Sequence, residues 1–171
     1  EFLIGFNLDS NLLKTFTAHE AVQIGDLEIT AFPKFHDASD PHSFIVSCNG
    51  IKVGVFTDIG IPCEHVIRYF NSCHAAFLEA NYDEDMLENG RYPYHLKARI
   101  RGGHGHLSNR QALELFCTGG THMSHLLLSH LSRDNNNPDL VLEMFKNRSL
   151  GTEILVASRD EESKVFHIGN S

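Results

Sequence analysis

The chain has 171 residues, of which 42% are hydrophobic and 21% charged, a balance typical of one globular domain with a hydrophobic core. Its formal net charge of −8 excludes a broad basic surface that coats nucleic acid, although an enzyme that uses metal ions and a few local cations remains compatible. No apolar run reaches the roughly 18 residues of a membrane span, so no membrane association is predicted.

The first half of the chain is predicted to form antiparallel strands. Residues 22–32 alternate apolar and polar side chains around a turn at Gly25-Asp26. Residues 43–58 form the clearest hairpin, because two β-rich runs flank Asn49-Gly50, the favoured pair for a type I′ turn. A short helix is predicted over 63–72.

From residue 75 onward the pattern alternates strands and helices. The run 75–81 is nearly all apolar, as is typical of a strand that is covered on both faces, and 122–130 is predicted to form a second buried strand. Helices are predicted over 107–120 and 137–147, the second with a proline in its first turn. The polar residues 82–103 are predicted to form an active-site loop with helical pieces.

The end of the chain is predicted to form a closing hairpin from residues 153–160 and 164–168. Antiparallel strands followed by alternating strands and helices indicate an α/β fold, in which helices pack outside a layered sheet.

Histidine and cysteine usage bear on chemistry and compartment. Twelve histidines are roughly three times the usual share and favour a metal site. The four cysteines have no C-x-x-C spacing, so neither a zinc knuckle nor a redox dithiol is predicted. They are expected to be buried free thiols of a cytoplasmic protein. These cysteines are Cys48, Cys63, Cys73 and Cys117.

Three side chains are predicted to meet where strands end. His36 follows one strand, Asp58 closes the second hairpin, and His130 follows a leucine-rich strand. Oxygen and nitrogen ligands on rigid strand ends suit Zn²⁺ or Mn²⁺. Taken singly, each has an ordinary alternative: a loop histidine, a turn aspartate before glycine, or a capping histidine. Their shared position at strand ends therefore carries the prediction.

His106 is predicted to have a different role. It precedes a helix whose free N–H groups favour anions, so it could contact a phosphate oxygen or protonate a leaving group. Packing at the start of the helix is the alternative. Ser108 or Asn109 can cap that helix. The cations of 97–101, including Arg99, are candidates for phosphate contacts, with a solvated loop face as the alternative.

Six stretches in series resemble the WalJ/YycJ-type branch of the metallo-β-lactamase fold. The resemblance covers residues 22–147, and within that range the stretches occur in the family's order: FPKFHDASDP, VGVFTDIG, FLEANYDEDML, GRYPYHLKARI, GHLSN and SHLSRDNN. The resemblance implies a partial αββα fold, with two facing β-sheets and helices outside, in a single metallo-β-lactamase-like domain over residues 1–171. It also implies two divalent metal ions, Zn or Mn.

The resemblance implies a role for each candidate residue. His36 and His130 would be metal ligands, Asp58 would bridge the two ions, and His106 would contact the scissile phosphate as the catalytic histidine. Asp83 would accept a hydrogen bond that orients a ligand, with an ordinary loop residue as the alternative. Substrate contacts are expected from Ser108, Asn109 and Arg99.

The function implied by the resemblance is phosphodiester hydrolysis by a 5′-to-3′ DNA exonuclease, so the expected substrate is DNA and RNA is the alternative. The alternatives are hydrolysis of a small ester or thioester, or a catalytically inactive module. The family's H-x-H-x-D-H motif is absent from this chain, which begins at Glu1. The expectation is therefore a domain that lacks its N-terminal part and is inactive alone. It would associate with that segment or with a second copy, unless the natural protein lacks the motif altogether.

Overall fold

The computed structural model describes residues 13–169, and these form one mixed sheet of seven strands in which sequence order is also spatial order. The strands are β1 (Ala21–Ile24), β2 (Leu27–Pro33), β3 (His42–Cys48), β4 (Ile51–Phe56), β5 (Ala75–Glu79), β6 (His125–Ser129) and β7 (Glu153–Val156). The helices are α1 (Glu64–Phe70), α2 (Glu84–Asn89), α3 (Tyr94–Ile100), α4 (Asn109–Gly119) and α5 (Pro138–Lys146).

Strands β1 to β4 form an antiparallel meander, which confirms both predicted hairpins. At the second turn, Asn49 has φ 50° and Gly50 has φ 82°. Positive φ at both central residues is what a type I′ turn requires, and asparagine and glycine adopt it at low cost.

Strands β4 to β7 are parallel to one another, and every connection between them contains at least one helix. The predicted closing hairpin is therefore wrong. Helix α5 carries the chain back across the sheet, so β7 enters beside β6 in the same direction. Residues 164–168 form no strand, and Val165 is 98% exposed.

The hydrophobic core lies between one face of the sheet and helices α1, α4 and α5. Alternate residues of the strands point into it, among them Phe32, Phe56 and Leu128. Phe116 and Phe145 cover them from α4 and α5. This layering confirms the predicted α/β class with helices outside the sheet. Within residues 13–169 all strands belong to one sheet, so the second facing sheet is not among them.

The cysteines follow the prediction only in part. All four are free, and Cys73 is buried. Cys117 is exposed, which contradicts its predicted burial: Ala112, Leu115 and Phe116 form the inward face of α4, and Cys117 lies off that face. Across residues 13–169, no helix has both the length and the apolar character that a membrane crossing needs.

Candidate metal centre

The candidate centre lies at one edge of the sheet, where four strands end. Strands β2 and β4 run in the same direction because both are antiparallel to β3, and β5 and β6 are parallel to β4. Their carboxyl ends therefore share an edge. His36 follows β2, Asp58 follows β4, Glu79 ends β5 and His130 follows β6.

Asp58 lies between two imidazoles. One carboxylate oxygen, Oδ1, is 3.6 Å from Nε2 of His36 and 3.7 Å from Nε2 of His130. These atoms are far enough apart to leave space for a cation and close enough to share one carboxylate. The structure therefore brings together the three side chains that the sequence predicts as ligands.

His106 joins the same cluster from the loop before α4. Its ring centre is 5.2 Å from those of both His36 and His130. Single ligand atoms of His36, Asp58 and His106 lie within 4.8 Å of one another, so the geometry also permits His106 as a ligand. Its predicted role as a non-ligand histidine stays a prediction.

Glu79 is hydrogen-bonded to two of the histidines, His106 and His130. Its side chain is completely buried and accepts three hydrogen bonds. Oε1 accepts from Nδ1 of His106 at 2.6 Å and from Nδ1 of His130 at 2.9 Å, and Oε2 accepts from the backbone N–H of Ile59 at 2.7 Å. These are hydrogen-bond distances, so we interpret Glu79, His106 and His130 as a hydrogen-bonded cluster rather than a second metal cage.

The hydrogen bonds fix which nitrogen of each ring is free. His36 directs Nδ1 to the carbonyl oxygen of Gly105 at 3.0 Å, and His106 and His130 direct Nδ1 to Glu79. An acceptor at Nδ1 keeps the proton there and leaves the Nε2 lone pair free, as in histidines that bind metals. The donor set of neutral imidazoles and a carboxylate therefore fits a divalent ion such as Zn²⁺ or Mn²⁺.

Nearby charges act on the protonation of this cluster. The pKa of His130 is raised, mainly by the hydrogen bond to Glu79 and also by the charges of Glu79 and Asp58. Burial and the charge of Arg159 oppose this rise. Half-buried Lys34 donates to the carbonyl oxygen of Thr57 at 2.6 Å, and its burial lowers its pKa. A metal bound at Nε2 of His130 has to displace the proton that these carboxylates favour.

Asp58 and His130 have unusual backbone conformations. Their φ angles are 55° and 56°, in the left-handed region that costs a residue other than glycine about 1–2 kcal/mol. Aspartate tolerates this region better than histidine does. Two of the three predicted ligands are thus held in strained turns directly after their strands, a pattern common at functional sites.

A buried amide cluster supports the loops that carry the histidines. Asn81 Nδ2 donates to the carbonyl oxygen of His130 at 2.8 Å. Asn136 Nδ2 donates to the carbonyl oxygen of Ala80 at 2.7 Å, and Asn109 and Asn136 exchange side-chain hydrogen bonds at 2.9 Å. This cluster joins the exit of β5, the start of α4 and the loop after β6.

Two predicted substrate-contacting residues have structural roles instead. Ser108 is 0% exposed and caps α4 in a capping box with Gln111, and Asn109 is 1% exposed within the amide cluster. Neither side chain is open to a substrate here. The S-x-x-Q spacing from Ser108 to Gln111 was the sequence signal for this cap.

Asp83 and Arg99 both form side-chain hydrogen bonds, and their predicted roles stay predictions. Asp83 Oδ1 accepts from the N–H of Met86 and caps α2, a role that accounts for its side chain without a metal ligand. Arg99 Nε donates to Asp37 Oδ2 at 2.5 Å, and this hydrogen bond lowers the pKa of Asp37. Asp37 Oδ1 is 3.5 Å from Nε2 of His36. The Asp37 carboxylate therefore lies between the guanidinium of Arg99 and the candidate centre.

Two similar curated proteins are exodeoxyribonucleases. The chain is 29% identical over 170 residues to exodeoxyribonuclease YycJ of Bacillus anthracis, covering 96% of this chain and 64% of that protein. It is 30% identical over 134 residues to exodeoxyribonuclease WalJ of Streptococcus pneumoniae D39, covering 78% of this chain and 50% of that protein. The chain thus spans between half and two thirds of the length of these relatives. No protein-family model matches it.

Solved structures give the fold. The metallo-β-lactamase fold protein YhfI of Bacillus subtilis has a TM-score of 0.63 at 17% identity, over 83% of this chain and 51% of that one. Zn²⁺-bound PqqB of Methylobacterium extorquens has a TM-score of 0.60 at 15% identity, over 84% of this chain and 53% of that one.

Proposed function

This chain is a metallo-β-lactamase-fold protein of the WalJ/YycJ type, and on that basis we propose that it carries the catalytic centre of a metal-dependent DNA exonuclease. The names of the two curated relatives support this reaction and DNA as the substrate. Because the chain spans only part of those relatives, the activity belongs to the natural protein that contains it. The free cysteines accord with a cytoplasmic location.

One observation carries the proposal: Asp58 Oδ1 lies 3.6 Å and 3.7 Å from the Nε2 atoms of His36 and His130. These residues would hold two divalent ions, Zn or Mn, with Asp58 shared between them. Such ions polarise a phosphate and lower the pKa of a coordinated water. Asp58 and His130 both lie in turns with positive φ directly after their strands, so rigid elements carry these candidate ligands.

His106 acts on the departing oxygen. Its Nδ1 is fixed by Glu79, so Nε2 is the nitrogen available to the substrate. When the ring also carries a second proton, on Nε2, that proton can pass to the alkoxide that forms when the P–O bond breaks, and the ring keeps its Nδ1 proton on Glu79. Arg99 and Asp37 lie on the His36 side of the centre, where the guanidinium, whose side chain is 64% exposed, can also meet a phosphate.

The experiment separates metal binding from catalysis. The natural full-length protein is stripped with EDTA, reloaded with Zn²⁺ or Mn²⁺, and assayed on duplex DNA labelled at either end and on duplex RNA. His36→Ala, Asp58→Asn and His130→Ala should lose metal and activity together. His106→Ala should retain metal and lose about 10²–10⁴-fold in rate.

His95→Ala is the matched control, because His95 is exposed on α3. Retained metal and hydrolysis in His36→Ala and His130→Ala would contradict the proposal. Loss of metal in His106→Ala would make His106 a ligand.

A further inference from the structure

A cavity of about 690 Å³ lies directly beside the candidate centre. It opens between the exits of β6 and β7 and the first turn of α5, and His130 lines both the cavity and the centre. Its volume falls within the range of about 300–1,000 Å³ that small-molecule sites occupy. A ligand in this cavity would therefore extend from the hydrolytic centre.

We propose that this cavity binds the terminal nucleotide of a DNA strand, a nucleoside monophosphate unit, next to the bond that is cut. The proposal rests on the proposed function, since it assigns a position to the substrate of that same centre.

The charge of the lining favours a phosphate. Arg133 and Arg159 line the cavity against a single carboxylate, Asp160. Arg159 Nη2 donates to the carbonyl oxygen of Leu131, and among residues 13–169 its remaining N–H groups have no other hydrogen-bond partner. Leu131 directly follows His130, and both residues line the cavity. A phosphate held by Arg159 would thus be adjacent to the centre.

Ser158 adds a neutral donor at the same end. Its Oγ accepts from the backbone N–H groups of Asp160 at 3.2 Å and Glu161 at 3.1 Å. Because Oγ is the acceptor in both hydrogen bonds, the Ser158 hydroxyl can still donate its proton to a phosphate oxygen.

The rest of the cavity suits an unselective contact with a base. Leu131, Pro138, Val156 and Ala157 present apolar surface there. Asn136 also lines the cavity, but its amide is used by the buried amide cluster. Aliphatic groups stabilise any base by burying apolar surface, but they form no hydrogen bonds with the base edges that differ between bases. We therefore expect binding that needs the phosphate and is nearly independent of the base.

The test measures binding without metal, so that the hydrolytic centre contributes nothing. Thymidine 5′-monophosphate, deoxyadenosine 5′-monophosphate, thymidine and inorganic phosphate are titrated into the full-length protein in EDTA by calorimetry. Both nucleotides should bind with affinities within a few-fold of each other, and thymidine should bind at least about tenfold more weakly than its monophosphate. Equal binding of thymidine and its monophosphate would overturn the proposal.

Variants locate the binding. Arg159→Ala should weaken thymidine monophosphate about tenfold, Ser158→Ala by a smaller factor, and Arg159→Lys should restore part of the affinity. Arg148→Ala, exposed outside the cavity, is the control, and thermal melts establish that each variant is folded. In DNA hydrolysis, Arg159→Ala should raise KM by a similar factor.

The outcomes separate this proposal from the proposed function. Nucleotide binding that depends on Arg159 without any metal-dependent hydrolysis would support the cavity and refute the exonuclease. Hydrolysis with an unchanged KM in Arg159→Ala, or undetectable nucleotide binding in EDTA, would refute the cavity alone.

Discussion

Replacing Glu79 with glutamine should show how much metal affinity depends on the hydrogen bonds that orient His106 and His130, because both histidines are kept. The carboxylate accepts three N–H groups, from Ile59, His106 and His130, and is completely buried. Glutamine has nearly the same shape but only one accepting oxygen. It can therefore satisfy either the two imidazoles or the backbone N–H of Ile59 in their present states.

Each orientation of the glutamine amide has a definite cost. If its oxygen faces the imidazoles, its NH₂ group meets the N–H of Ile59, and a buried donor is left unsatisfied at about 1–3 kcal/mol. If its NH₂ group faces them, both rings must carry the proton on Nε2, the atom that should bind metal. The first orientation lowers the free energy of unfolding and leaves both Nε2 lone pairs available. The second lowers metal affinity by about 10–100-fold, the usual effect of removing a partner that orients a ligand.

The assay is a Zn²⁺ competition titration against a chromophoric chelator at constant pH. Glu88→Gln is the control, because Glu88 is an exposed acid on α2 that pairs with Arg101. Zinc affinity of Glu79→Gln within about twofold of wild type, together with an unchanged free energy of unfolding in urea, would refute the view that Glu79 sets the tautomers.

Three further predictions concern stability and reactivity. His130→Gly should be about 1 kcal/mol more stable than His130→Ala in urea unfolding, because only glycine accepts the positive φ without strain; equal stabilities would contradict this. Cys117 should react with Ellman's reagent in the folded protein, whereas Cys73 should react only on unfolding. The thiol of Cys73 is buried, and burial raises the pKa of Cys73 to about 12. Loss of the fast phase of the reaction in Cys73→Ser rather than in Cys117→Ser would refute this. The hydrogen bond from Arg110 lowers the pKa of Glu84 below 4.5, so wild type should exceed Glu84→Gln in unfolding free energy above pH 4.5, by less than about 1 kcal/mol for this exposed pair. That advantage should disappear as the pH falls through the lowered pKa, and a difference independent of pH would contradict it.

Sequence reasoning succeeded where local chemistry determines structure. The hairpin at Asn49-Gly50 follows from two residues that accept positive φ. The shared edge of His36, Asp58 and His130 follows from side chains placed directly after apolar strands. Neither inference needs a long-range contact to be known in advance.

Sequence reasoning failed where contacts between distant parts of the chain determine the structure. Glu79 is a lone acid ending an apolar strand, but its partners lie 27 and 51 residues away, so the sequence alone does not connect them. The closing hairpin was wrong because pairing of the 153–160 segment depends on where α5 returns the chain. The positive φ of His130 has no sequence signal, since no glycine or asparagine marks it.

The sequential order of the sheet has a consequence for biosynthesis. Because each of the strands β2 to β7 pairs with the one before it, each of them finds its partner already made when it emerges from the ribosome. The sheet of residues 13–169 can grow in one direction, and none of its strands has to be inserted between two others. The centre is completed only when residue 130 has emerged and docked beside β5, so a nascent chain halted before that point would have a well-formed meander and no competent metal cluster.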